Sequence, residues 1–168
     1  PVLPTNGTFV VVINAEAFTW TDVSVRYRVN TYAYGGHGFL LRYVDDRNHY
    51  RVYYNFPSRC FWVEKRRNGV ITRPARISYY EPFRTSTWVD IRADIVGNTF
   101  RFFYENAFLL EYTDTTDPIL TGSAGIITRQ SYWMQIDDFT VESIVSFSDT
   151  ATAANANITD TARATLET

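Results

Sequence analysis

Val23, Val25, Tyr27 and Val29 alternate without a break with Ser24, Arg26, Arg28 and Asn30. Successive side chains of a strand point to opposite faces, so this segment carries one apolar and one polar face. Val89, Ile91, Ala93 and Ile95 repeat the pattern against Trp88, Asp90, Arg92 and Asp94. A strand with one apolar face must cover it with a second layer, which directs the chain toward a packed pair of sheets. Short runs of the same character, rich in Val, Ile, Tyr, Phe and Thr, fall near 8–14, 22–31, 37–44, 49–56, 59–67, 70–79, 87–96, 99–105, 107–113, 122–130 and 132–144. Asp45-Asp46-Arg47-Asn48, Asn68-Gly69 and Gly97-Asn98 supply turn chemistry between neighbouring runs. Strands joined by such turns pair antiparallel. The fold class expected is all-β, a two-sheet antiparallel β-sandwich of the jelly-roll kind with a short C-terminal tail, helical or extended.

Composition supports this. Aromatic residues make up 17% of the 168, and Tyr and Phe contribute twelve each, a bias toward side chains that suit pleated, half-buried surfaces. The formal net charge of −2 provides no overall basic field, so no nucleic-acid partner is expected. No apolar run approaches the roughly 20 residues a helical membrane span needs. Cys60 is the single cysteine and lies in the apolar run Cys60-Phe61-Trp62-Val63, where a thiol behaves as a small hydrophobe. Of the sixteen basic residues only Lys65 is a lysine.

The composition changes near residue 145 to Ala, Thr, Asn and Asp. Residues 1–144 are accordingly assigned to the sandwich and 145–168 to a tail or linker. Within the tail, Ser148-Asp149-Thr150-Ala151-x-Ala153 recurs eleven residues later as Thr159-Asp160-Thr161-Ala162-x-Ala164. An eleven-residue spacing is about three helical turns. It would align Phe147, Ala151, Ala154, Ile158, Ala162 and Leu166 on one stripe. A weak helix, a linker and a disordered segment all fit two copies.

The run Gly38-Phe39-Leu40-Leu41-Arg42-Tyr43-Val44-Asp45-x-x-Asn48-x-Tyr50-x-Val52 resembles the paired strands of concanavalin A-like and laminin-G-like domains. The likeness continues through Asn68-Gly69, Trp88-Val89-x-Ile91, Gly97, Phe100-x-Phe102, Asp114, Gly122-x-x-Gly125-Ile126 and Ile136-Asp137-Asp138-Phe139-x-Val141. It is closest to the bacterial branch that serves as carbohydrate-binding modules. The resemblance implies a jelly roll, an extracellular or cell-surface location, a carbohydrate or cell-surface ligand, and in some members a calcium ion. It also implies what a catalytic member would carry. The glucanase pattern Glu-x-Asp-x-x-Glu is absent, and neither His37 nor His49 follows the Gln-x step of the lyases. A non-catalytic module is therefore expected, with attachment to a glycoside-degrading enzyme left open. The start at Pro-Val-Leu-Pro is the expectation of a processed segment.

Arg26, Arg28, Arg42, Arg51, Arg92 and Arg101 fall mid-strand between inward-pointing neighbours and are expected to project from sheet faces. Guanidinium forks and aromatic rings together suit sugar hydroxyls and carboxylates. Tyr53 and Trp133 join the Arg set as candidate ligand residues, with Tyr43, Trp62 and Trp88 as further rings. The opposing explanation is cross-strand Arg–Asp pairing, in which Asp90 and Asp94 neutralise their neighbours. Asp137 and Asp138 are the candidate calcium ligands, since Ca²⁺ takes several hard oxygens. Asp45 reads better as a turn cap. An alternative from a different class is a structural subunit of an extracellular filament or surface assembly, a homopolymer formed through residues 145–168 that complete a neighbour's sheet.

Overall fold

The computed structural model describes residues 8–12, 20–31, 36–55, 60–78, 86–129, 134–144 and 162–163. Among them every regular element is a strand: β1 (Thr8–Val12), β2 (Val23–Thr31), β3 (Gly36–Asp45), β4 (Asn48–Asn55), β5 (Cys60–Arg67), β6 (Val70–Ser78), β7 (Trp88–Val96), β8 (Thr99–Tyr104), β9 (Ala107–Thr113), β10 (Ser123–Arg129), β11 (Met134–Ser143) and β12 (Ala162–Arg163). The first eleven coincide with the runs read from the sequence, so the expected two-sheet sandwich is the observed fold. One sheet has the order β1-β10-β3-β4-β5-β6 and the other β12-β11-β2-β7-β8-β9. Every pairing is antiparallel.

Turn chemistry sets the hairpins. Asn68 and Gly69 both take positive φ, 51° and 85°, the geometry of a tight turn whose twist matches its strands. Asp45 caps the β3–β4 turn, accepting from the backbone N–H of Arg47 at 2.7 Å and from the Asn48 amide at 3.0 Å. Glu105 and Asn106 form a turn at φ 48° and 64° without a glycine. Glu105 is held there by donating its N–H to the Asp90 carbonyl and accepting the Asp90 N–H on its carboxylate.

The core lies between the sheets and is built from the alternating positions. Val23, Val25, Tyr27, Val29, Val89, Ile91, Ala93 and Ile95 from one layer meet Phe39, Leu41, Tyr50, Val52, Tyr54, Phe61 and Val63 from the other. The Phe61 and Phe102 rings meet across the layers at 5.2 Å, and Tyr50 meets Phe100 at 4.6 Å. Cys60 is fully buried, as its apolar run suggests.

Two polar devices tie the layers together. Arg42, at φ 50° in the irregular stretch between Leu41 and Asp45, is buried and donates to the carbonyls of Trp20 at 2.6 Å and Gly97 at 3.1 Å. It therefore does not project from a sheet face. Buried Lys65 pairs with buried Asp114 at 2.6 Å and donates to the backbone carbonyls of Thr116 and Asp117. Tyr50 also donates to Asp114 and accepts the Ile119 N–H at 3.1 Å. Burial alone would raise the Asp114 carboxyl. Donation from Lys65, Tyr50 and the Thr116 N–H outweighs that and holds it below the ordinary aspartate value.

Of the tail, Ala162–Arg163 pairs with Thr140 and Val141 of β11. The remainder of 145–168, including the eleven-residue repeat and its stripe, lies outside the described residues.

Candidate functional site

The register of the first sheet builds its outer face row by row. Ile127, Gly38, Tyr53, Trp62 and Arg76 are successive cross-strand partners on β10, β3, β4, β5 and β6. The next row runs Gly125, Leu40, Arg51, Glu64, and beyond it His49, Arg66 and Ile71 lie side by side. Partners in register share a face, so these rows form one surface, opposite to the core side of Val52, Phe61 and Val63.

Gly36, Arg51, Tyr53, Glu64, Ile71, Arg73 and Ile127 line a depression of about 280 Å³ on this surface. Its form follows from side-chain size. Gly36 on β3 adds no side chain to the lining, while Tyr53 is buried in it and packs edge-to-face against the half-buried Trp62 with ring centroids 4.5 Å apart. A Cβ at Gly38 would lie 1.9 Å from the Val52 carbonyl oxygen and 2.6 Å from the Tyr53 Cβ, so this position accepts no side chain without backbone movement.

Glu64 sits in the depression with only 6% of its side chain exposed. Arg73 donates to it through Nε at 3.1 Å and its Nη2 lies at 3.1 Å, while Arg51 Nη1 stands at 4.0 Å on the other oxygen. The carboxylate is thus hydrogen-bonded to Arg73 and at ion-pair distance from Arg51, leaving most of the five donors of each guanidinium for another partner. The Nε–H groups of Arg51 and Arg66 and the indole N–H of Trp62 are buried without an acceptor. His49 donates Nδ1–H to the Asp45 carbonyl at 2.9 Å and stacks on Tyr43. Its burial lowers the imidazole pKa first, so the ring is held toward the neutral form.

The other outer face is different. Arg26 pairs with Asp90 at 3.0 Å, Arg28 with Asp138 at 3.5 Å, Arg92 with Asp94 at 3.3 Å and Arg101 with Glu111 at 2.6 Å. Ser24 donates to Asp94 at 2.7 Å. Arg28 also lies over the Trp88 ring and Arg92 over the Phe103 ring, at 5.4 and 4.0 Å. These four arginines are matched one to one by carboxylates, three across neighbouring strands and Arg92 with Asp94 along β7.

The eight ligand residues expected from the sequence are therefore dispersed. Arg51 and Tyr53 lie in the depression, Arg26, Arg28, Arg92 and Arg101 on the opposite sheet, Arg42 in the interior, and Trp133 outside the described residues. Asp137 and Asp138 are exposed at the irregularity between Asp137 and Thr140, where Asp138 takes φ 50°. Among the described residues no three His, Cys, Asp or Glu side chains are grouped to hold a metal ion. Glu64, Arg66, Arg73 and Arg76 were not selected from the sequence. The alternation of Trp62, Glu64 and Arg66 against Phe61 and Val63 carries the signal for the first two. Lys65 on the inward side and the register shift between Val63 and Lys65 obscure it.

No family model matches the chain, and no curated protein sequence does. Solved structures share the fold. A carbohydrate-binding module, CBM66 from Bacillus subtilis, superposes with a TM-score of 0.69 at 14% identity over 83% of this chain and 84% of its own. A Bacillus subtilis protein of unknown function with a galectin-like fold gives 0.65 at 15% identity, covering 84% of this chain and 80% of that one. Chicken galectin 2 gives 0.61 at 11% identity, covering 74% and 94%. At such identities the likeness is one of fold, which hosts many functions.

Proposed function

We propose that the chain is a non-catalytic carbohydrate-binding module acting outside the cell, and that its sugar site is the depression on the outer face of β3 to β6. The observation that carries this is the Arg51–Glu64–Arg73 cluster in a depression lined also by Gly36 and Tyr53, with the half-buried Trp62 ring packed against Tyr53 on the same face. Sugars expose apolar C–H faces and a rim of hydroxyls, and this combination offers the Trp62 ring to the former and charged donors and an acceptor to the latter. CBM66 is by its name a carbohydrate-binding module, and the galectin likeness points the same way.

A hydrolase of the usual kind needs two carboxyl groups about 5 to 10 Å apart across the scissile bond. Glu64 is the one carboxylate among the residues lining the depression, and two guanidinium groups occupy it. This supports binding without turnover.

Affinity electrophoresis through gels holding plant, algal and bacterial polysaccharides tests the assignment. Retardation on at least one polymer, lost in Trp62→Ala and Arg51→Met and kept in Arg26→Ala, is the expected result. A folded protein that migrates freely through every gel, or one whose retardation depends on Arg26 and not on Trp62, overturns it.

A further inference from the structure

The two outer faces use the same residue type in opposite ways. On the second sheet Arg26, Arg28, Arg92 and Arg101 each have a carboxylate of their own. On the first, Arg51 and Arg73 share Glu64, and Arg66 and Arg76 stand on the same face beside them. Among the described residues Arg66 and Arg76 have no carboxylate partner, although the chain as a whole is acidic at −2.

Two explanations compete for this excess. An edge strand is protected from pairing with other chains by charged residues and proline, and β6, which ends its sheet, carries Arg73, Pro74 and Arg76. That accounts for the exposure of Arg73 and Arg76. It does not account for Arg51 and Arg66, which sit on the interior strands β4 and β5. Clustering like charges inside a sheet face costs stability unless a counter-charge arrives, and the second sheet shows how readily this chain provides one where none is to arrive.

We infer that the ligand of this face is an acidic saccharide, one that carries carboxylate or sulfate groups. A guanidinium presents a planar fork that meets an oxyanion with two parallel hydrogen bonds, so Arg66 and Arg76 suit the anionic groups. Glu64 orients Arg51 and Arg73 and turns away a ligand whose charge lies over the middle of the site. Same-face neighbours on one strand are about 7 Å apart, so Arg66, Glu64 and Trp62 extend over about 14 Å. That is the span of a short oligosaccharide, with the Trp62 ring under one sugar and the Arg66 charge beside another.

The inference rests on the carbohydrate assignment above, and the experiment separates the two. The intact chain is titrated with polygalacturonate, with the same polymer after carboxyl reduction, with chondroitin sulfate, with neutral galactan and levan, and with poly-L-glutamate. Binding to polygalacturonate or chondroitin sulfate is expected, weakening as NaCl is raised and falling about tenfold or more in both Arg66→Gln and Arg76→Gln. Which of the two polymers binds distinguishes carboxylate from sulfate. Arg26→Gln serves as the control on the paired face, and circular dichroism verifies that each variant is folded. Undiminished affinity for the carboxyl-reduced or neutral polymers overturns the acidic ligand while leaving sugar binding in place. Equal affinity for poly-L-glutamate overturns it by showing that the face responds to charge alone. Binding to none of the saccharides removes both assignments.

Discussion

His37 lies in the core with its Nδ1 2.8 Å from the Tyr27 hydroxyl and its ring beside Tyr54. Burial lowers its pKa to about 4 from an ordinary 6.5, so the folded protein holds the neutral ring. The unfolded chain takes up a proton first as the pH falls. The stabilisation is whole above pH 6.5 and is lost as the pH drops toward 4, in total about 3 kcal/mol. Urea denaturation at pH 7 and pH 5 checks this: about 2 kcal/mol of loss is expected in this interval, and less in His37→Asn. An unchanged midpoint across it would count against a buried neutral His37. Arg42 supplies a second test. Its two carbonyl contacts join β3 to the segments at Trp20 and Gly97. Arg42→Ala removes both bonds between the layers and empties a buried position, and should lower stability by about 2 to 4 kcal/mol in a denaturant titration. Affinity of the still-folded variant for any bound polysaccharide should be unchanged, which separates an interior clamp from a ligand contact.

The decisive element is the β3–β4 pair. Its register sets Gly38 against Tyr53 and Leu40 against Arg51, which fixes both the floor and the wall of the depression. Gly38→Ala would press a methyl group into the backbone of β4. Thermal unfolding is expected to show a loss of about 3 kcal/mol or more, comparable to severe overpacking, because backbone in an interior strand has no room to yield. A variant as stable as the parent would mean that the strands are less closely apposed. At this scale the sequence was most legible. Period-two alternation placed the strands, and Asn68-Gly69 and Asp45 placed two of the hairpins. The irregularities were not legible. Arg42 lies in an ordinary-looking alternation, yet the register shift between Leu41 and Asp45 turns it into the interior. Alternation assumes that pairing continues without interruption, and a bulge breaks that assumption for every residue after it.

For the whole molecule, the described core draws on residues from Val23 to Val141. A chain ending at Ile144 should therefore keep its melting temperature to within a few degrees. Sedimentation of both forms tests the alternative of a filament subunit at the same time. An assembly formed by the full chain and lost on truncation would establish the tail as a contact between copies.

What the sequence determined by itself was local in cause: strands from alternation, hairpins from turn residues, and an apolar set large enough to join two sheets. Each depends on neighbours a few positions away, which is why the sandwich could be read before any coordinates. What only the tertiary structure decided was how the arginines are used. Arg26 and Arg51 occupy equivalent places in their own strands, each flanked by inward-pointing residues. Arg26 finds Asp90 beside it at 3.0 Å, whereas Arg51 shares Glu64 with Arg73. Charge balance on a sheet face is set by which strands lie side by side and in what register. Arg26 meets its partner 64 positions away, whereas Glu64 and Arg73 are 9 apart across a hairpin whose register shifts between Val63 and Lys65, and alternation specifies neither that distant pairing nor that shift.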